Sequence, residues 1–196
     1  MQSCIFLFSG PLAVGSMLLA PTALAQAEST AAWLESDTNW NQSGVAIPEA
    51  PVLEGGGNLP NCQDVVRPAA LPEDDQVTAA GWTLSGSAQI FGDTTVITGM
   101  ANADGMCRPL SYQVFVFTDG VFSGTLAPEP MDARTDGSLV SVDLYRQGYL
   151  SATFNRYTPE DPLCCPSAYS FLFYEVDTQG EAPLLMPKLP ASTNAE

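Results

Sequence analysis

Residues 112–127, YQVFVFTDGVFSGTLA, decide the fold class of this chain. Both halves of the stretch are rich in Val, Phe and Thr, which suit the pleated, half-buried surface of a β-strand. Asp119-Gly120 separates the halves, and this dipeptide is a strong signal for a tight hairpin turn. The stretch therefore predicts an antiparallel β-hairpin.

Strand-like runs continue on both sides of this hairpin, with further turns at Gln147-Gly148 and Gln179-Gly180. They are WTLSGSAQIFG (82–92), TTVITGMA (94–101), SLVSVDLY (138–145), YLSATFNRY (149–157), AYSFLFYEV (168–176) and APLLMP (182–187). Apolar and polar residues alternate in YLSATFN, which indicates a strand with one face in water. AYSFLFYEV is apolar on both faces from Phe171 to Tyr174, which predicts a central strand.

One short helix is predicted before the strands. In LPEDDQVTAAGW (71–82), Pro72 suits the first turn, the acidic residues after it favour the positive end of the helix dipole, and Gly81 is a natural stop. Consecutive hairpins joined by short turns imply an antiparallel meander. The predicted fold class is therefore mainly β: a small barrel or sandwich with one short N-terminal helix and two disulfides.

Composition disfavours several classes of function. The chain has 22 Asp and Glu against 6 Lys and Arg, and a surface with a net charge of −16 repels nucleic acid and anionic lipid. There is no histidine, and Lys188 is the only lysine. Nucleophile pairs that depend on histidine and the usual catalytic zinc sites are therefore not expected. We expect no catalytic residue, no cofactor and no metal site.

The N-terminal residues have the features of an export signal. Residues 5–25 carry no charge and end in Ala23-Leu24-Ala25, so we predict a signal peptide over 1–25 that is cleaved after Ala25. No Lys or Arg precedes the apolar run, and an uncleaved membrane anchor is the alternative. No cysteine directly follows the run, so we expect neither a lipid anchor nor stable membrane insertion after cleavage. The mature protein is expected in the periplasm or outside the cell.

The remaining chain divides by composition into three parts. Residues 26–60 read as a flexible leader rich in Pro and Gly, residues 61–187 as the β domain, and residues 188–196 as a C-terminal tail. Trp33 and Trp40 are unusual in a linker. They either pack against the domain of the same chain or form an arm that meets a partner.

Four cysteines remain after the signal: Cys62, Cys107, Cys164 and Cys165. In an exported domain they predict two disulfides. A bond between the neighbours Cys164 and Cys165 would force a strained ring, so we expect each of them to bond either Cys62 or Cys107. A four-thiolate metal site is disfavoured because the only close pair is adjacent in sequence.

Three segments stand out from the strand pattern: DGMCRPL (104–110), GTLAPEPMDARTDG (124–137) and RYTPEDPLCCPS (156–167). With these segments the chain resembles the LppP/LprE family of exported bacterial lipoproteins, most closely its cyanobacterial members, over roughly residues 60–187. The run Arg-Tyr-x-x-x-Asp-x-Leu-Cys-Cys-Pro-Ser is the most specific part. The resemblance implies a secreted, envelope-associated domain of unestablished biochemical role. The chain departs from the lipoprotein pattern because it lacks a lipobox cysteine.

Charged side chains in or beside these segments are the candidate ligand or ion-pair residues: Arg108, Arg134, Arg156 and Asp161. In so acidic a protein, an arginine most often pairs with neighbouring carboxylates. The alternative is a pocket for a carboxylate or phosphate group, which would require two of the arginines to point into one cleft.

The sequence therefore predicts a non-catalytic, secreted or envelope-associated domain that binds an unidentified protein or small molecule. One alternative is a hydrolase of cell-wall or extracellular glycan that uses two carboxylates facing one cleft. Another is a calcium-responsive surface protein, because residues 132–137 resemble the start of a calcium loop, although Arg134 stands where a third oxygen ligand belongs. A deep cleft with two carboxylates would favour the hydrolase, and a shallow surface with exposed aromatic residues would favour binding.

Overall fold

The computed structural model describes residues 31–53 and 57–195. One α-helix and nine strands form there: α1 Pro72–Ala79, β1 Thr83–Phe91, β2 Thr94–Ala103, β3 Pro109–Thr118, β4 Val121–Thr125, β5 Leu139–Arg146, β6 Tyr149–Arg156, β7 Ala168–Asp177, β8 Leu184–Pro187 and β9 Ser192–Ala195. In the same ranges, three short 3-10 helices precede α1, at Ala32–Glu35, Leu59–Asn61 and Gln63–Val65. Strands β1 to β4 form one antiparallel meander, and β5 to β8 form a second, to which β9 adds by pairing with β7. The predicted mainly-β fold with one short helix is confirmed, and it is a sandwich.

The two sheets differ in how many of their faces are covered. The main core lies between the sheets and includes Val114 of β3, Phe154 of β6 and Leu172 of β7. A second core lies on the other face of the first sheet, where Val77 of α1 packs with Trp82 and neighbouring aromatic residues. The first sheet is therefore apolar on both faces, as a sheet between two layers must be.

Two amide side chains connect the sheets at their edges. Strand β1 breaks register with β2 between Ser85 and Gln89. The Gln89 side chain then reaches β5, where its Nε2 donates to the carbonyl of Val142 at 2.8 Å and its Oε1 accepts from the amide of Leu144 at 2.8 Å. At the opposite edge, Asn41 joins β4 to β8 in the same manner.

Residues 31–53, which the sequence placed in the leader, lie along the sandwich. Ala31 and Leu34 are fully buried in the core between the sheets. Trp33 makes edge-to-face contacts with Trp40 and with Phe154, at 5.0 and 5.1 Å between ring centroids. The interpretation that the two tryptophans pack against their own domain is confirmed.

The predicted cysteine pairing is wrong. Cys62 bonds Cys107, with 5.3 Å between their Cα atoms, and Cys164 bonds Cys165. The pairing follows from where the two halves of the chain lie. The amide of Asn58 donates to the carbonyl of Ala103 at 2.9 Å, and this bond holds the turn that contains Cys62 beside the β2–β3 connection of the first sheet. Cys164 and Cys165 lie in the β6–β7 loop of the second sheet.

The predicted signal peptide over 1–25 and its cleavage site lie outside the described residues. In the two described ranges, no helix has the length and apolar character needed to cross a bilayer. At the other end of the chain, the predicted tail contains β9, which pairs along β7 from Ala168 to Phe171.

Candidate functional site

The three segments that stand out in the sequence converge at one end of the sandwich. The amide of Ala133 donates to the carbonyl of Pro109 at 3.2 Å, which joins the second segment to the first. The amide of Tyr157 donates to Asp136 Oδ1 at 3.0 Å, which joins the third segment to the second. We call residues 104–110, 124–137 and 156–167 the motif end.

Arg156 lies at the centre of the motif end and is only 14% exposed. Its guanidinium donates to Asp136 Oδ1 at 3.0 Å, to Glu35 Oε1 at 2.9 Å and to Ser170 Oγ at 3.2 Å. Burial opposes the charged form, but the bonds to Glu35 and Asp136 outweigh it and raise the pKa of Arg156. This arginine is therefore held in an internal ion-pair network that ties the N-terminal segment to the second sheet.

Arg108 and Arg134 lie apart from this network. Arg108 Nε donates to Asp104 Oδ2 at 2.6 Å, and the pKa of Asp104 is lowered, chiefly because it accepts from the Arg108 amide. Arg134 is exposed on a turn and has a φ of 66°. The ion-pair interpretation describes Arg108 and Arg156, which face different carboxylates.

Asp161 shapes the β6–β7 loop that carries Cys164 and Cys165. Its Oδ2 accepts from the amide of Thr158 at 2.8 Å and from the amide of Ser167 at 3.0 Å. These bonds, led by that from Thr158, lower the pKa of Asp161. Asp161 therefore closes the base of the loop and holds its two ends together.

The outer face of the second sheet presents aromatic side chains to solvent. Phe171 is 40% exposed and Phe173 is 55% exposed, on the central strand β7. The side chains on the same face of β6 are polar: Ser151 pairs with Phe173 and Thr153 pairs with Phe171. We call the outward residues of both strands the aromatic face: Ser151, Thr153, Asn155, Tyr169, Phe171 and Phe173.

The aromatic face extends to the motif end through Tyr157. Desolvation raises the pKa of Tyr157, the charge of Arg134 opposes this, and Tyr169 and Asp161 are close enough to add to the rise. The Tyr157 hydroxyl donates to the carbonyl of Leu163 at 3.2 Å, and the Leu163 side chain is 68% exposed. Tyr157 thus lies where the aromatic face meets the β6–β7 loop.

A polar cavity of about 540 Å³ lies at the opposite end of the sandwich. Glu175 lines this cavity, and each of its carboxylate oxygens has a partner. Oε1 accepts from the Tyr149 hydroxyl at 2.9 Å, and Oε2 lies 2.7 Å from Lys188 Nζ. Lys188 first and Tyr149 second lower the pKa of Glu175. A glycosidase general acid needs a raised pKa, which is the opposite of this shift.

In the segment that resembles a calcium loop, the carboxylates already accept hydrogen bonds from other groups of the protein. Asp132 Oδ1 accepts from the amide of Ser111 at 2.6 Å, and Asp136 binds Arg156 and Tyr157. Across residues 31–53 and 57–195, no cluster of three or more metal-ligating side chains of the His, Cys, Asp or Glu type is found.

Residues 92–179, from the β1–β2 turn to the β7–β8 turn, match the model of the LppP/LprE lipoprotein family. The chain is similar to the LppP/LprE lipoproteins. The predicted resemblance to the family is confirmed over this range. The range is shorter than expected but contains all three segments of the motif end and the whole aromatic face. The LppP/LprE match supports an envelope-associated protein. No curated protein and no solved structure matches the chain.

Phe171 and Phe173 are the surface residues that sequence analysis missed. With their apolar neighbours Leu172 and Tyr174 they made β7 apolar on both faces, which predicted a central strand, and β7 is indeed central. The alternation in β6 is the signal that could have identified these two residues. The solvent-facing residues of β6 pair directly with Phe171 and Phe173 on β7, so both strands share one exposed face.

Proposed function

We propose that this protein is a non-catalytic, exported domain of the cell envelope that binds an uncharged, hydroxyl-rich glycan through the aromatic face. The observation that carries the proposal is the exposure of Phe171 and Phe173 on a central strand. A monomeric domain that kept such rings for stability alone would bury them, as it does Leu172 and Tyr174.

The composition of the aromatic face supports a sugar as the ligand. The C–H face of a sugar ring packs on the electron-rich face of an aromatic ring, and exposed hydroxyl and amide groups can bond the sugar hydroxyls. Phe171 and Phe173 supply the rings, while Ser151 and Thr153 on the next strand supply hydroxyl groups.

The net charge of the protein and the composition of the aromatic face favour a neutral glycan over other polymers. A net charge of −16 opposes the approach of nucleic acid or an anionic polysaccharide. The central part of a protein–protein interface is usually a continuous apolar patch, whereas here each ring pairs across strands with a hydroxyl side chain.

Export is supported by two disulfides in one small domain, together with the lipoprotein family match. The predicted signal peptide at 1–25 is the segment that would direct export. The proposed location is the periplasm or the extracellular face of the envelope.

The experiment is retention of the protein on cellulose, chitin and mannan, compared between the wild type, Phe173→Ala and Phe91→Ala. Phe91 is the matched control because it is 48% exposed but lies on β1 of the other sheet. Loss of half the burial of one Phe side chain corresponds to about 1 kcal/mol, so Phe173→Ala should weaken binding roughly five- to tenfold. Phe91→Ala should leave it unchanged.

Three results would contradict the proposal. They are retention on none of these glycans, equal weakening by both substitutions, or binding to an envelope protein with no glycan affinity.

A further inference from the structure

We propose that Cys164–Cys165 is a thiol–disulfide exchange site that accepts two electrons from a dithiol reductant, while Cys62–Cys107 remains a structural bond. The inference rests on the placement of the two bonds and is independent of glycan binding.

The two disulfides differ in their access to solvent. Cys164 and Cys165 are both exposed in the β6–β7 loop, whereas Cys62 is 1% exposed and Cys107 is half-buried. Exchange begins when a thiolate attacks a disulfide sulfur, so it requires an open approach to that atom. An attacking thiol can reach Cys164–Cys165 in the folded protein.

The loop keeps its shape through hydrogen bonds that do not involve the sulfur atoms. Asp161 holds the amides of Thr158 and Ser167, and the amide of Cys165 donates to the carbonyl of Pro162 at 2.9 Å. Tyr157 holds the carbonyl of Leu163. Reduction of Cys164–Cys165 can therefore proceed without unfolding the loop.

Stability gives little reason for a bond between adjacent residues. A disulfide stabilises mainly by closing a loop in the unfolded chain, and the effect grows with the number of residues enclosed. Cys62–Cys107 spans a sequence separation of 45, whereas Cys164–Cys165 spans 1. Cys164–Cys165 can therefore be reduced and reoxidised with little change in the stability of the fold.

The exchange proceeds in two steps. One thiolate of the donor attacks a sulfur of the pair, the S–S bond breaks, and the departing cysteine thiolate takes up a proton. The second donor thiol, after losing its proton, attacks the donor sulfur of the mixed disulfide and releases the other cysteine, which is protonated in turn. The net result is two cysteine thiols and one donor disulfide, a transfer of two electrons and two protons.

Leu163 provides a contact for a dithiol protein. It directly precedes the pair and is 68% exposed. An apolar side chain beside an accessible disulfide can pack against a partner while the mixed disulfide forms.

The test uses the full-length oxidised protein with dithiothreitol as the dithiol. The protein is incubated over a range of dithiothreitol concentrations, alkylated, and digested for mass spectrometry, with circular dichroism recorded in parallel. Cys164 and Cys165 should be labelled at a concentration at least about tenfold below that needed for Cys62 and Cys107, with the β-sheet spectrum unchanged.

A Cys62→Ser/Cys107→Ser variant that remains folded should show the same reduction midpoint for the remaining pair. The proposal is overturned if both bonds open at one concentration, if Cys164–Cys165 opens only with loss of the β-sheet signal, or if its thiols are labelled before any reductant is added. Each of these outcomes leaves the glycan experiment unaffected.

Discussion

Asn41 completes the hydrogen bonding of Thr125 as a neighbouring strand would: its Oδ1 accepts from the Thr125 amide at 2.8 Å and its Nδ2 donates to the Thr125 carbonyl at 3.1 Å. The same Nδ2 lies 3.2 Å from the carbonyl of Leu185 on β8. A side-chain amide carries the same donor and acceptor as a peptide group, so Asn41 substitutes for backbone pairing where the two sheets part. Gln89 does the same at the other edge.

Asn41→Ala should lower the free energy of unfolding by about 2 kcal/mol, because the nearly buried backbone groups of Thr125 lose their partner. Urea unfolding followed by tryptophan fluorescence measures this. Asn61→Ala is the control, since Asn61 is exposed and its side chain donates to the nearby Asn58 side chain. Equal effects of the two substitutions would show that Asn41 does not join the sheets.

Gln89→Glu should destabilise the protein by about 2 kcal/mol at neutral pH, because a carboxylate cannot donate to the Val142 carbonyl. Protonation restores a donor, so the deficit relative to wild type should shrink as the pH falls. Gln147→Glu introduces the same charge at an exposed turn and should cost less than about 0.5 kcal/mol. A deficit that stays constant on acidification would argue against the hydrogen bond as its cause.

Asp74→Asn should cost about 3 kcal/mol at neutral pH, because it leaves the largely buried Arg67 guanidinium without its counter-charge. In the folded protein Asp74 is fully buried, and the bond from Arg67, more than the backbone bonds, holds its pKa below 3.8 against the effect of burial. The stabilisation is therefore complete above the ordinary pKa and is lost as the pH falls through the lowered folded value.

Urea unfolding at a series of pH values should show the wild type converging on Asp74→Asn in acid. Asp75→Asn is the matched control, because Asp75 is the exposed neighbour in the same first turn of α1. Parallel pH profiles for the wild type and Asp74→Asn would refute the linkage.

Cys62→Ser/Cys107→Ser should lower the free energy of unfolding by about 4 kcal/mol, the loop-closure value for a separation of 45 residues. Cys164→Ser/Cys165→Ser is the comparison and should cost about 1 kcal/mol or less. Thermal unfolding monitored by circular dichroism distinguishes them. A larger loss from the second variant would reverse the assignment of the structural bond.

Local features of the sequence predicted the elements well. The Asp119-Gly120 turn forms with φ of 51° and 73°, because these two residues tolerate positive φ. The helix at Pro72–Ala79 and the alternating burial of β6 follow from residue order alone. Such signals span fewer than about ten residues, so no knowledge of distant contacts is needed to interpret them.

Contacts between distant residues were decided only by the tertiary structure. Cys62 meets Cys107 because the turn before it bonds to the end of β2, and no spacing in the chain encodes that contact. The side-chain amides of Asn41 and Gln89 can bond the backbone of neighbouring strands only where the edges of the two sheets lie side by side. Phe171 and Phe173 are exposed because α1 covers the first sheet rather than the second. The residue order thus determined strands β1 to β8 and the alternating burial of β6. The pairing of β9 with β7 and the choice of which sheet faces meet depended on the packing of the whole domain.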